Sequence, residues 1–513
     1  MITPHSTDPA PTFDLAAVRR IYLMGIGGTG MGSFAGLLKS AGYQVTGSDE
    51  ALYPPMSDML DRWGIRALEG YAPAHLTTAF GGPPDLVVVG NVIRRVNPEA
   101  EALRHSGLPY LSFPQALGEI FLATREPVVV AGTHGKTTTS ALAAHLFTHA
   151  GRDPSVLIGG VSLNLLGEGT GNFRIGAGKH FVVEGDEYDT AYFDKGPKFL
   201  HYRPKLAVLT SLEFDHADIY RDLPHYEAAF ARFLALLPPN GHLAVADSQL
   251  GAVTLSQSAV CHVESYGLER GDLRAERLAF TGEGAHFEVT RRGQALGRVR
   301  FPLFGRQNVE NALGATSVAL AAGLTFSEIA AGLSTFQGVR RRQEILGTPG
   351  DITVIDDFAH HPTAVRATLA AVRTRFPTAR LFALFEPRSN TSRRKVYQHD
   401  YAEAFADANV VAICAPQGGS PIPEAERLDP SALADGIRAH GKDAHYYPGV
   451  EPLADAVAAQ AQAGDVVLLM SNGAFGGLAK RLLAQLGERL GERLDAGLDA
   501  RRGEPQPGPR QGP

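Results

Sequence analysis

Three runs of residues in this chain have the types and spacing for chemistry. The first is Pro127–Ser140, PVVVAGTHGKTTTS. Gly132, Thr133, His134, Gly135, Lys136, Thr137 and Thr138 follow the apolar run Val128–Val130 and precede a helical pattern ending at Ala150. A strand, a glycine loop, a Lys-Thr pair and a helix together hold a nucleotide triphosphate. Loop N–H groups and the positive end of the helix dipole face phosphate oxygens. In this reading Lys136 reaches the β and γ phosphates, and the Thr137 hydroxyl ligates Mg²⁺. The glycine stands at Gly132 where the longer pattern would put it at Val130, so the loop is G-x-x-G-K-T, a form an ordinary tight turn also fits.

The second run is Gly25-Ile26-Gly27-Gly28-Thr29-Gly30, after a strand candidate Arg20–Met24 and before a helical pattern from Met31 to Ala41. Ser48 and Asp49 end the next strand candidate, and an acidic residue about 20 positions past the glycines suits a ribose hydroxyl. Such a loop accepts any pyrophosphate, so NAD, FAD and a nucleotide-sugar diphosphate all remain open. The third run is acidic. Glu184, Asp186, Glu187 and Asp189 cluster beyond the strand candidate Phe181–Val183, and Glu213, Asp215 and His216 follow the strand candidate Leu206–Thr210. The acidic cluster requires a cation or a basic partner. Thr137, Glu184 and His216, from three strand ends, are placed to converge on one Mg²⁺.

Further βα units surround these runs, with strand candidates at Asp85–Gly90, Pro109–Phe113, Leu243–Asp247, Ile352–Ile355, Leu381–Phe385 and Val466–Met470. Residues 262–302 alternate in short runs that suggest a β-rich extension, and Asn308 and Asn311 lie on one face of an alanine-rich helix, suited to an adenine edge or to capping. The pattern is α/β in three domains: a Rossmann-like domain over 18–125, a P-loop ATPase-type domain over 126–345 and a second Rossmann-like domain over 346–495. A disordered arm is expected over 1–17 and a disordered tail over 496–513. The net charge of −6 argues against nucleic acid as the main partner, and two distant cysteines, Cys261 and Cys414, argue against a disulfide framework. Lacking a membrane-length apolar stretch or a signal-peptide pattern, the chain is expected to be cytoplasmic, and to act as a monomer on small molecules.

The ordered set GIGGTGM, GSD, AGTHGKTTT, EGDEYD, EFDH, GRQNVEN, GVRRR and DDFAHHP, spanning about 18–490, resembles the Mur ligase family. Those enzymes form amide bonds on UDP-linked cell-wall precursors with ATP. Two branches share the first loop: one adds L-alanine to UDP-N-acetylmuramate, the other adds a released tripeptide, L-Ala-γ-D-Glu-meso-diaminopimelate, in murein recycling. The stretches YPPMS at Tyr53–Ser57, YFDKGPKF at 192–199, EPRSNT at Glu386–Thr391 and MSNGAFGG at Met470–Gly477 resemble the tripeptide-adding branch. The chain departs from the family at Gln307, where a histidine is usual, and at Gly185, where alanine is usual. No lysine occurs between His216 and Leu250, so the carbamylated lysine of some members is not expected.

The resemblance implies ATP on Gly132, Thr133, His134, Gly135, Lys136, Thr137 and Thr138, with Asn308 and Asn311 at the adenine and Arg342 and Asp357 at phosphate and ribose. UDP-N-acetylmuramate is expected on Gly25, Gly27, Gly28, Thr29, Gly30, Met31, Ser48 and Asp49, and the peptide on Arg388 and Asn390. Lys136, Glu184 and His216 are the expected catalytic residues, the last two with Thr137 as ligands of Mg²⁺. Two rivals use fewer of these features. A nicotinamide-dependent oxidoreductase leaves the Lys136 loop and the acidic cluster unused. A nucleotide-driven switch or transport module leaves the Gly25–Gly30 loop unused.

Overall fold

Strands made of continuous apolar residues belong in parallel sheets covered on both faces. In the computed structural model, which describes residues 13–54, 56–165, 171–216, 219–416 and 422–489, such strands form three sheets. The first contains β1 (Arg20–Met24), β2 (Gln44–Asp49), β3 (Ala67–Glu69), β4 (Leu86–Val89) and β5 (Tyr110–Ser112), all parallel, in the order β3-β2-β1-β4-β5. Strand order reverses at β1, and the glycine loop leaves its carboxyl end, where open α/β sheets take ligands.

The second sheet contains β6 (Glu126–Ala131), β7 (Ser155–Leu157), β8 (Phe173–Arg174), β9 (His180–Gly185), β10 (Leu206–Leu209), β11 (His242–Ala246), β12 (His262–Gly267), β13 (Leu273–Thr281), β14 (Gly284–Arg291) and β15 (Gln294–Phe301). Its order is β15-β14-β13-β12-β11-β10-β6-β9-β7-β8. β6 lies between β9 and β10 with parallel register on both sides, which puts their three carboxyl ends side by side. The expected β-rich extension proves to be a continuation of this sheet: β12 is parallel to β11, and β13 to β15 form an antiparallel meander.

The first two sheets share one hydrophobic core. Phe34 meets Phe113 with ring centroids 5.1 Å apart and edge-on geometry, and Trp63 meets Phe173 of β8 at 5.2 Å. Phe173 packs so closely on Gly36 that a methyl there would collide with its ring, and Asn172 donates to Ser33 Oγ at 2.6 Å inside the same interface. One core cluster therefore runs across the boundary expected near residue 125, while each sheet also keeps a cluster of its own on its other face. The compact units divide between Arg340 and Arg341.

The second unit holds β16 (Glu344–Gly347), β17 (Thr353–Asp357), β18 (Leu381–Phe385), β19 (Val410–Cys414), β20 (Asp443–Tyr447) and β21 (Val466–Met470), in the order β16-β17-β21-β18-β19-β20. Only β16 is antiparallel to its neighbour. Of the arm expected over 1–17, the described part differs: Leu15–Ala17 forms a helical turn capped by Asp14, and Phe13 and Leu15 pack on the core. The tail expected over 496–513 lies outside the described residues. Among the described residues, no helix is long and apolar enough to cross a membrane.

Candidate active site

The loop between β6 and the helix Lys136–His149 is built on left-handed backbone at two glycines, Gly132 (φ +133) and Gly135 (φ +82). Gly135 has a second constraint: a Cβ would stand 2.6 Å from Asn311 Oδ1. The helix start has no side-chain cap, so its first N–H groups are not answered by a capping side chain and face the loop. The loop is tied to the end of β10. His134 N–H donates to Ser211 Oγ at 2.7 Å, Thr133 Oγ1 donates to the Glu213 carbonyl at 2.8 Å, and Glu213 N–H donates back at 2.9 Å.

The strand ends bring the charged residues together in two pairs. Thr137 Oγ1 donates to Glu184 Oε1 at 2.9 Å, and the other carboxylate oxygen accepts the Gly159 N–H at 2.7 Å. Lys136 Nζ lies 2.9 and 3.1 Å from the two oxygens of Glu187 and 2.5 Å from the Gly132 carbonyl. His216 Nε2 is 3.1 Å from Glu187 Oε1, with the Tyr188 ring edge-on to the imidazole. The structure thus joins Thr137 with Glu184 as expected, but seats His216 on Glu187, which the sequence reading placed in the acidic cluster without a role. Glu187 is 1% exposed, so its charge must be answered locally.

The charges answer one another. Burial works against the Lys136 ammonium, but Glu187, Asp186 and Glu184 outweigh it and hold the group above its ordinary range. Burial pushes the Glu187 carboxyl up, and Lys136 and His216 more than reverse that. Glu184 is held above the usual carboxylate range by burial and by Asp186, against the pull of Lys136. Burial disfavours His216 imidazolium, yet Glu187 and Asp215 raise it. The outer acids have lysine partners, both from the run at 192–199: Lys198 with Asp186 at 2.9 Å and Lys195 with Asp189 at 2.8 Å. This is the basic partner the acidic cluster demanded.

Of the amide pair on the helix Arg306–Ala321, Asn311 stands against this loop and Asn308 turns back to its own helix start. Asn311 Oδ1 accepts the Thr139 hydroxyl at 3.1 Å, and Asn308 Nδ2 donates to the Phe304 carbonyl at 2.8 Å. In the first domain, Gly28, Thr29 and Gly30 are exposed and open the helix Thr29–Ser40, with no side-chain cap at Gly28. Asp49 Oδ2 accepts the Gly27 N–H at 2.7 Å, so Asp49 shapes the glycine turn, while the Ser48 carbonyl accepts Gly25 N–H at 2.8 Å. Two expected contacts point elsewhere. The Met31 side chain is buried in the core, and the Ser48 hydroxyl donates to Glu99 Oε2 at 2.6 Å. Glu99, absent from the sequence reading, is 0% exposed and also takes Tyr22 OH, the Ala72 N–H and His75 Nδ1.

In the second unit, Asp357 accepts the N–H groups of Gln343 and Ala359, both at 2.8 Å, and burial holds its carboxyl up against the charge of Arg342. Arg342 stands over the Phe358 ring, 4.7 Å from its centroid. Arg388, after β18, rests on Gly473 in the loop after β21. Asn390 lies in the same β18 loop.

A pyrophosphate-type loop, a P-loop flanked by carboxylates and a third α/β unit, in that order, mark a class of ATP-dependent ligases. Family models match in the same order: "Mur ligase family, catalytic domain" over 20–125, "Mur ligase middle domain" over 130–319 and "Mur ligase, glutamate ligase domain" over 341–473. The chain belongs to the Mur ligase family. It is 38% identical over 476 residues to the UDP-N-acetylmuramate–L-alanyl-γ-D-glutamyl-meso-2,6-diaminoheptandioate ligase of Escherichia coli, covering 92% of this chain and 99% of that one. A solved murein peptide ligase from Psychrobacter arcticus is 35% identical, with a TM-score of 0.69, over 91% of this chain and 98% of its own. The UDP-N-acetylmuramate–L-alanine ligase of Rubrobacter xylanophilus is 33% identical over 91% of this chain and 100% of its own.

Proposed function

We propose that this protein joins L-Ala-γ-D-Glu-meso-diaminopimelate to UDP-N-acetylmuramate with ATP, in murein recycling. The observation that carries the reading is similarity along nearly the whole chain to ligases named for that tripeptide. The muramate carboxylate is a poor electrophile because oxide would have to leave. Its attack on the γ-phosphate gives an acyl phosphate and ADP. The alanine amine then attacks the acyl carbon, phosphate leaves, and the amine loses a proton as the amide forms.

The chain's own residues supply the setting. N–H groups from Gly135 to Thr138 cradle the phosphates, on a loop that Thr133 and His134 tie to Ser211, and Lys136, swinging from Glu187, neutralises charge on the transferred group. Asn308 and Asn311 lie along the adenine. Gly28, Thr29 and Gly30, exposed at the start of their helix, carry the UDP pyrophosphate on backbone N–H groups, while Gly25 and Gly27 shape the turn beneath it, with the uridine near Asp49. A hydroxyl beside a carboxylate is a hard oxygen donor set, so Thr137 and Glu184 fit Mg²⁺ and would hold it, with His216, here on Glu187, as the third candidate ligand. That ion would supply charge stabilisation for phosphoryl transfer. A monomer working in the cytoplasm on these small molecules completes the reading.

The second reading is the alanine-adding ligase, which the Rubrobacter relative favours. Phosphate release with ATP, Mg²⁺ and UDP-N-acetylmuramate separates the two, with the tripeptide or free L-alanine as amine and the product weighed by mass spectrometry. Turnover with the tripeptide and little with alanine supports the proposal; efficient turnover with alanine overturns it.

A further inference from the structure

The helix Thr29–Ser40 carries the first glycine loop at its start, and its buried face rests on the antiparallel pair β7–β8 of the second sheet. Two residues one turn apart, Ser33 and Gly36, make the seat. Gly36 meets the Phe173 ring, and Ser33 Oγ accepts the Asn172 side-chain N–H at 2.6 Å. The hydrogen of the Ser33 hydroxyl goes to the Thr29 carbonyl, also at 2.6 Å. One hydrogen and two lone pairs let this hydroxyl serve both neighbours at once. Ser33 is 1% and Asn172 2% exposed, so the bond between them is closed to water.

The same strand pair reaches the phosphate loop from its other side. The Asn172 carbonyl accepts the Ile158 N–H at 2.8 Å, and the next N–H, that of Gly159, donates to Glu184 Oε2 at 2.7 Å. A Cβ at Gly159 would stand 2.9 Å from that oxygen, and one at Gly160 would stand 2.6 Å from Thr137 Cγ2, so the turn after β7 sits directly on the Thr137–Glu184 pair. Thr29 is thereby tied to Thr137 through Ser33, Asn172, the Ile158–Gly159 step and Glu184. Two substrates that react with each other must be held at one separation, and an error of about an ångström costs about a hundredfold in rate. We propose that Ser33 and Asn172 are positioning residues: they seat the helix that carries the UDP pyrophosphate on the strand pair that holds Thr137 and Glu184, and so set the reach of the muramate carboxylate to the γ-phosphate. The inference rests on the ligase reading, but on neither choice of amine, because the carboxylate is phosphorylated before the amine attacks. Both side chains are buried away from the exposed loop, so each substrate binds alone as well without them; what they fix is the relation between the two.

With Mg²⁺ and no amine, ATP and UDP-N-acetylmuramate react once per site, giving ADP and a bound acyl phosphate, so rapid-quench ADP formation reads this step alone. Its amplitude counts competent sites, and its rate constant reports their geometry. Ser33→Ala is expected to slow the rate constant about ten- to hundredfold with the amplitude unchanged. The Kd values for UDP-N-acetylmuramate and for a non-hydrolysable ATP analogue, each titrated alone by calorimetry, should stay within about twofold. Asn172→Ala leaves the Ser33–Thr29 bond in place and should slow the step likewise, which covers the case in which Ser33→Ala folds poorly. The two residues act through one bond, so the double variant should be no slower than the slower single variant. An unchanged rate constant, with or without a lower amplitude, reduces the pair to a structural role. A raised Kd for UDP-N-acetylmuramate makes it a binding role, and slowdowns that multiply separate the two residues; each of these results overturns the inference. Wild-type ADP formation that depends on UDP-N-acetylmuramate checks the ligase reading separately. Its absence removes that reading and the inference together, whereas wild-type reaction with unaltered variants removes the inference alone.

Discussion

Lys136→Met removes an ammonium that stands 2.9 and 3.1 Å from a carboxylate with almost no exposure. Breaking a buried pair from one side costs about 3–5 kcal/mol, because the remaining charge is stranded. Here Glu187 keeps His216 at 3.1 Å and Tyr226 OH at 3.4 Å, which places the expected loss near the lower end, about 3 kcal/mol. That is a large share of a typical total of about 5–15 kcal/mol, yet it leaves the protein folded at room temperature. Glu187→Gln in the same chain removes the stranded charge while keeping the side-chain shape. The double variant is expected to recover about 2 kcal/mol of the loss, a coupling that only interacting neighbours show. Trp63, the one tryptophan in the sequence, sits against Phe173 in the same unit, so its fluorescence during urea unfolding reports the unit that contains Lys136. If the two substitutions add without coupling, the buried pair is not what holds Lys136 in place. Turnover should be lost in both variants, and full activity in either would remove the P-loop lysine from the mechanism.

Gly135→Ala forces a left-handed φ of +82 on alanine and sets its methyl 2.6 Å from Asn311 Oδ1, so ATP binding by calorimetry should weaken at least about tenfold. Unchanged affinity would dissociate the loop shape from nucleotide binding. His242 is pushed down to about 4, first by burial and then by His262 and Arg291, against the pull of Glu264. Its neutral form is the one the fold accepts, so the stability it contributes is complete above the unfolded value near 6.5 and is lost as pH falls from there toward 4. Thermal melts should show that decline, and His242→Gln should flatten it; an identical decline in the variant would place the effect elsewhere. Arg388→Ala should raise KM for the tripeptide more than KM for ATP in steady-state assays, and equal rises would take Arg388 out of the peptide site. Gly36→Ala drives a methyl into the Phe173 ring and should lower the urea midpoint read from Trp63 by an amount equivalent to about 1–3 kcal/mol.

What the sequence alone determined is the part written in local pattern. Arg20–Met24, Leu381–Phe385 and Val466–Met470 are strands to the residue, because apolar runs of four or five flanked by glycine or polar residues have one low-cost home, the interior of a parallel sheet. The phosphate loop was legible for a similar reason: glycines, lysine and threonine must be consecutive to surround a phosphate. The family was legible because eight such local patterns occur in one order. Tertiary structure decided what depends on partners far apart in the chain. Glu187 gains its meaning from Lys136, 51 positions away, and from His216, and no pattern around either announces that pair. Ser48 reads like Asp49 in sequence, yet the pleat points its hydroxyl to Glu99 on the buried side while Asp49 turns to the glycine loop. Glu386 and Ser471 follow different strands, 85 positions apart, and share a hydrogen bond only because β18 and β21 lie side by side. A buried charge is stable only with its answer in place, and strand order, which short sequence patterns do not encode, decides where that answer comes from.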